Sequence, residues 1–483
     1  MTRPTAKSPN VGAVIDLLDR LDNWAQNTPR SMEMAALICL LPPKILPYAA
    51  LGIAEDGTIS FIDTTVTSLI EAEQKYPGFA DARSTTLKPL QFLFPGLIDT
   101  HLHAPQWPNL AIGMEGNLRE WVEKYTDPLE ASYSDNHKAD VVYDELVRKE
   151  LSLGTTTVAY NSSPHWQATN ILATKCKKYG QRAVIGKLCI LQNSTHGNWE
   201  KDVPTSLADE KKSVDFIRSL DPSGKQVMPC IQPRGGPYVP PAGMLGLGAL
   251  SNSPAYLDSG KPIRVQAHMC ETEEDICRMK AVHPGFSNYT EMYRSYGLLH
   301  SRSILAHCIH LSPTDISLLA STRAGVAHNP NSNTCLRDGW CRVRDLLDAN
   351  VKVGLGTDCS AGYSTSILDA MRSASNVSRH LVMATGESSY MLKFSEIVFL
   401  GTLGAAQVLD VEDMVGNFEV GKQFDALLVD TGLEEDLINV RGWEGDAEAL
   451  VKKWVFLGDD RSLRKVWVGG RLVAGKDLVG KGG

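Results

Sequence analysis

The chain has 483 residues, 43% of them hydrophobic and 22% charged, with 48 Lys and Arg against 56 Asp and Glu for a formal charge of −8. That length exceeds one ordinary hydrophobic core, so one large and one smaller domain are expected. The acidic balance without a basic cluster argues against a nucleic-acid partner, and ten cysteines with no CxxC pair suit neither a disulfide framework nor a structural zinc site.

Residues 1–30 are polar and carry Pro4, Pro9 and Pro29, which does not read as a secretory signal. They are expected to form an N-terminal extension, either an extra helix or a mobile tail. The apolar stretch 34–54 is broken by Pro42, Pro43 and Pro47, so it reads as strands and not as a membrane span. No membrane partner and a cytoplasmic location follow as expectations, and the cysteines, several inside apolar runs, suit a reducing compartment. Residues 50–62 alternate around Asp56-Gly57, a hairpin signature.

From about residue 95 to 360, short apolar runs alternate with amphipathic segments. The runs are 92–100, 155–160, 182–191, 227–232, 263–267, 303–306, 325–327 and 351–356, and helix-like stretches such as 141–153, 208–220, 313–321 and 343–350 lie between them. Eight such units predict an α/β fold: a (β/α)8 TIM-like barrel of parallel strands ringed by helices. Residues 417–429 and 465–473 again read as strands with Gly turns. The expected organisation is therefore an extension (1–30), a small composite β-sandwich formed from both chain ends (31–92 plus 412–480), and the barrel (93–411).

Polar residues then cluster where such a barrel keeps its chemistry, at or just after the strand ends. They are His101 and His103, Arg234, His268, His307, His328-Asn329 and Asp358. Two histidines two apart on a strand share a face and can grip one cation. Further imidazoles and a carboxylate complete a site for zinc or a similar metal, with a position left for water whose pKa the ion lowers to roughly 7. His101, His103, His268 and Asp358 can supply that shell, and Asp358 can also take a proton from the water. His307 could bind the metal or polarise the water. Any one of these residues alone reads as a satisfied buried histidine or a capping Asp; together, at successive strand ends, they read as a hydrolase centre. Glu271, three residues after His268, is the candidate proton shuttle, although on its own it would read as an ordinary acidic residue opening a helix.

These motifs carry a resemblance. Residues 95–106, 118–126, Gly154-Thr155-Thr156-Thr157, Pro233-Arg234, 327–333, 354–358, 362–370, 417–425 and 456–460 resemble the amidohydrolase superfamily, and within it the guanine deaminase family. The resemblance covers nearly everything after about residue 90. It implies a distorted barrel with one zinc ion per subunit, a small-molecule substrate, hydrolysis of guanine to xanthine and ammonia, and a homodimer. It carries metal ligation onto His101, His103, His268 and Asp358, with His307 at or near the metal, and catalysis onto Glu271, Asp358 and His307. Gln106 and Arg234, together with His268 and Glu271, would meet the substrate; the amide and guanidinium suit the polar edge of a purine. Lys187 lies on the third run and not the fourth, so it is expected to be structural and the metal count to be one.

Three positions depart from the family. Arg234 is followed by Gly235-Gly236-Pro237-Tyr238 where an aromatic residue is usual, so Tyr238 or Trp107 would have to supply a stacking surface. Asp127-Pro128 stands for Phe-Pro, and Asn161-Ser162-Ser163 is more polar than expected beside a barrel mouth. Two other functions stay open: the same chemistry on another cyclic amidine, pterin or heterocycle of specialised metabolism, and a catalytically silent scaffold.

Overall fold

The structure is a computed structural model that describes residues 31–34, 37–39, 44–46, 49–433 and 438–476; the expected extension at 1–30 lies outside them. Two compact units emerge. One comprises Leu97–Leu151 and Thr157–Glu412, the other Ser152–Thr156 with the described residues before Leu97 and after Glu412.

The larger unit is built on eight parallel strands. In chain order they are β1 (Leu97–His103), β2 (Thr155–Asn161), β3 (Arg182–Gly186), β4 (Val227–Pro233), β5 (Arg264–Met269), β6 (Ser303–His307), β7 (Gly325–His328) and β8 (Lys352–Leu355). Each neighbours the next in sequence order, from β1 to β8. β1, β2, β3 and β6 are buried at every residue, as strands covered on both faces must be. Between β8 and β1 the barrel is closed by single bonds instead of a regular ladder. Thr100 Oγ1 donates to Leu355 O at 2.9 Å, and Asp358 N donates to His101 O at 2.8 Å. Asp99 Oδ1 adds a clamp, accepting from His101 N at 3.0 Å and Thr357 N at 3.1 Å.

All eight expected runs are strands, with two refinements. The run 92–100 divides at Gly96: Gln91–Pro95 belongs to another sheet and only Leu97 onward enters the barrel. Hydropathy could not mark that break because both halves are fully buried. A Cβ at Gly96 would lie 2.2 Å from Thr156 Oγ1, which explains a glycine there. The run 182–191 is interrupted at Lys187, leaving β3 and the two-residue strand Leu188–Cys189.

The smaller unit joins strands from both ends of the chain. Its six-stranded sheet runs Arg471–Ala474, Leu463–Val468, Ala426–Asp430, Gln91–Pro95, Leu37–Cys39, Lys44–Leu46. All pairings are antiparallel except that of Gln91–Pro95 with Leu37–Cys39. The Asp56-Gly57 hairpin forms as read: Ala50–Ile53 pairs antiparallel with Ile59–Asp63, and Gly57 takes a left-handed φ of +79°. Leu51, Leu93, Phe424, Leu428 and Trp467 share one apolar core here.

Helices pack closely enough in the barrel unit to dictate glycine. In Pro241–Ser251 a Cβ on Gly248 would lie 1.7 Å from the Tyr296 carbonyl oxygen. Gly→Ala inside an exposed helix stabilises by about 0.5–1 kcal/mol. Gly248→Ala should instead destabilise by about 1–3 kcal/mol through overpacking, read as a lower thermal midpoint.

Candidate metal centre and substrate cavity

The strand ends deliver their side chains to one place. Ligand atoms of His101, His268, His307 and Asp358 all lie within 4.8 Å of one another. His103 extends the group, its Nε2 3.0 Å from His268 Nε2 and 3.6 Å from Asp358 Oδ1. His328, also at a strand end, is buried with neither ring nitrogen hydrogen-bonded, and it is not one of the converging donors.

The outer nitrogens of these rings decide what the inner ones can do. His101 Nδ1 lies 2.6 Å from Gln266 Oε1, His268 Nδ1 2.6 Å from the Arg234 carbonyl oxygen, and His307 Nδ1 2.9 Å from Asn333 Oδ1. These three oxygens accept, so each Nδ1 carries the proton and donates it; Asn161 Nδ2, also 3.1 Å from His101 Nδ1, donates to Gln266 Oε1 instead. That leaves three Nε2 lone pairs turned inward towards one carboxylate. His101 Nε2 is 3.2 Å and His307 Nε2 3.7 Å from Asp358, and both are buried with no hydrogen-bond partner. Converging lone pairs repel unless a cation sits among them, and imidazoles fixed through Nδ1–H are the arrangement of metal-bound histidine. The donor set fits a divalent transition metal.

Electrostatics point the same way. Burial, then the crowding of the neighbouring imidazoles, His101 first, holds His103 and His268 well below the usual histidine range, favouring neutral rings. Burial alone would raise Asp358, but the surrounding histidines, His101 first and then His307 and His103, outweigh it and keep the carboxyl well below its usual range. Neutral imidazoles and an ionised carboxylate are the forms that bind a cation. His307 and Asp358 also hold left-handed φ angles of +71° and +49°, strain of a kind that collects at functional sites.

Glu271 stands beside this group, 6% exposed, with Oε1 3.4 Å from His307 Nε2. Burial, reinforced by Asp358, pushes its carboxyl well above the ordinary range. It precedes the helix Glu273–Val282, whose N-cap is Thr272, and so is not itself part of the first turn.

A cavity of about 390 Å³ opens over these residues, lined by His103, Gln106, Arg234, His268, Glu271 and Asp358 among others. Gln106 and Arg234 are held by a residue that sequence reasoning does not single out. Glu130 is fully buried; its Oε1 accepts from Gln106 Nε2 at 2.7 Å and its Oε2 from Arg234 at 2.6 Å and Asn198 Nδ2 at 2.9 Å. Asp127, one of the family departures, is a brace one helical turn away. It accepts from Thr195 N at 2.6 Å and Asn198 Nδ2 at 3.1 Å, fixing the segment that reaches Glu130. Asn161, another departure, backs the metal centre: its Nδ2 donates to Gln266 Oε1 at 3.1 Å and so turns that oxygen towards His101.

The third departure leaves space. A Cβ on Gly235 would meet nothing closer than 3.8 Å. Tyr238, half-buried with its ring centre 5.2 Å from the Arg234 guanidinium carbon, lines the cavity, whereas Trp107 does not. Lys187 is spent elsewhere, fully buried with Nζ 2.6 Å from Glu200 and 3.5 Å from Glu210. Burial pulls its pKa down, but the two carboxylates more than reverse that and leave it raised. A lysine so paired is an ion-pair cation, in keeping with a structural role.

Asp99, Asn161, Gln266, Asn333 and Glu130 thus act behind the residues singled out from sequence. Gln266 was discoverable, because two residues before His268 on a strand it faces the same way. Glu130 offered no such signal.

The sequence matches the model of the Amidohydrolase family over residues 92–473. A protein named probable guanine deaminase from Schizosaccharomyces pombe is 40% identical over 429 residues, spanning 88% of this chain and 79% of its own. Guanine deaminase of Rattus norvegicus is 35% identical over 436 residues, 89% of this chain and 93% of its own. A crystal structure of guanine deaminase from C. acetobutylicum with bound guanine superposes with a TM-score of 0.78 at 28% identity, covering 89% of this chain and 96% of that one.

Proposed function

Since the chain belongs to the amidohydrolase family, we propose that its cavity hydrolyses guanine to xanthine and ammonia with one zinc ion per chain. The observation that carries this is the set of inward-facing Nε2 atoms around Asp358, beside the buried carboxyl of Glu271. Relatives named guanine deaminase, aligned over most of the chain, supply the substrate. His101, His103, His268, His307 and Asp358 are the residues that would hold the ion. When bound, zinc supplies the acidity that makes water a nucleophile at neutral pH.

The chain's own groups do the rest. Arg234 and Gln106, locked by Glu130, grip the oxo side of the ring with donors they do not spend on that carboxylate. Asp358, ionised, takes a proton from the attacking water. Glu271 delivers its proton to the ring nitrogen beside the attacked carbon as the C2–O bond forms, takes up the proton that Asp358 removed from the water, and passes it to the departing amine. The C2–N bond then breaks, ammonia leaves, and the proton remaining on the new oxygen returns to Glu271 as the C2 carbonyl forms.

Gln266 earns a role here too. Gln266→Leu removes the acceptor that fixes the His101 tautomer, and zinc affinity should fall about 10- to 100-fold, measured by competition with a chromophoric chelator. The proposed setting is a cytoplasmic homodimer; among the described residues no helix is long and apolar enough to cross a membrane. A silent scaffold is disfavoured by the complete donor set.

A second reading keeps the chemistry and changes the ring, and the lack of a side chain at Gly235 on the cavity wall favours it. Ammonia release from guanine, pterin and a triazine, compared at equal enzyme, separates the two. Guanine turned over fastest supports the first reading; a larger heterocycle preferred by tenfold or more supports the second.

A further inference from the structure

Asp338 lines the same cavity and serves neither the metal group nor the Glu130 network. It is 8% exposed, and its Oδ2 is wholly buried without a hydrogen-bond partner among the described residues. Its backbone is pinned on both sides: N donates to Asn333 O at 2.9 Å, and O accepts from His310 Nε2 at 2.8 Å. The neighbouring cation does not neutralise it, because the Arg337 guanidinium is turned to the carbonyl oxygens of Met114, Glu115 and Gly116. Asn333, which anchors Asp338, also orients His307, so one short segment sets both the metal centre and this carboxylate. A buried carboxylate facing a cavity without a donor is costly, and a ligand N–H removes that cost.

The chemistry of the ring says which N–H. In guanine the attacked carbon C2 lies between N1 and N3. The N1 side leads to the C6 carbonyl, an acceptor suited to Arg234. The N3 side leads to N9–H, a donor suited to a carboxylate. A guanidinium and a carboxyl buried in one cavity thus sort the ring by its two edges. Resting on the reading of this cavity as a guanine site, we infer that Asp338 is a specificity-determining residue that accepts the N9–H of the bound base. Burial, with Glu271 next, pushes the empty-site carboxyl up to about 8, and an N–H donor from the ligand acts in the opposite sense.

The test crosses two substrates with three enzymes. In 9-deazaguanine a carbon replaces N9 and the ring proton sits on N7, so the ring keeps its shape and loses the donor on the N3 side. Zinc-loaded wild type should prefer guanine by roughly 10- to 100-fold in kcat/KM, the size of a hydrogen bond to a charged group. Asp338→Ala should lose about that factor on guanine, mainly through KM, and leave 9-deazaguanine unchanged. Asp338→Asn, which keeps an acceptor oxygen, should retain part of the preference. Thermal midpoints at or above wild type would show that the variants fold. An equal loss on both substrates, or none on either, overturns the assignment. Wild type that turns over guanine and 9-deazaguanine equally sinks the Asp338 role alone, whereas wild type inert on both sinks the guanine reading and the inference with it.

Discussion

Glu271→Gln should lower kcat on guanine by about 10²–10⁴-fold, the usual weight of a positioned proton donor, while zinc content and thermal midpoint stay near wild type. The side chain is buried beside His307 but is not one of the converging metal donors. An amide has the same shape and cannot pass a proton to the ring or to the leaving amine. Stability should hold because the substitution replaces an acid that burial already keeps neutral, so no buried charge is lost or stranded. KM should change little, since the proton matters only in the transition state. A variant retaining more than about a tenth of wild-type kcat would remove Glu271 from the proton path.

Glu130→Ala should be the most damaging change outside the metal group. Arg234 is buried, and burial alone would depress its pKa, but Glu130 reverses that and holds it raised. Without the carboxylate a guanidinium is left unpaired, at a cost of about 3–5 kcal/mol. Gln106 loses its anchor as well. The expected result is a clearly lower thermal midpoint together with a large rise in KM for guanine. Adding Arg234→Met should recover much of the stability, because a buried pair can give way to apolar groups of similar volume, and recover none of the activity. If the double variant were no more stable than Glu130→Ala, the ion pair would not be what Glu130 is for.

The barrel was legible because its strands are short apolar runs at regular spacing, and because strand-end histidines are rare enough to stand out together. The division at Gly96 was hidden, since a chain leaving one buried sheet for another shows no change in hydropathy. The metal donors were legible as residue types, but the geometry that makes them donors was not. Gln266, Asn333 and the Arg234 carbonyl fix the tautomers, and two of these are neutral amides while the third is backbone. Glu130 and Asp127 were illegible for another reason. Buried acids on a short helix look like surface acids in sequence, and only their partners from residues 195–198 and Arg234 show otherwise. Asp127 stands out in sequence only as a departure from the family; in the structure it braces Asn198.

The most direct test is a zinc titration of the metal-stripped chain in saturating guanine, following loss of guanine absorbance as xanthine forms. Turnover should rise linearly with added zinc and level off at one equivalent per chain. Guanine left unconsumed at full zinc occupancy, or consumed at the same rate by the stripped chain, would contradict the assignment of this cavity.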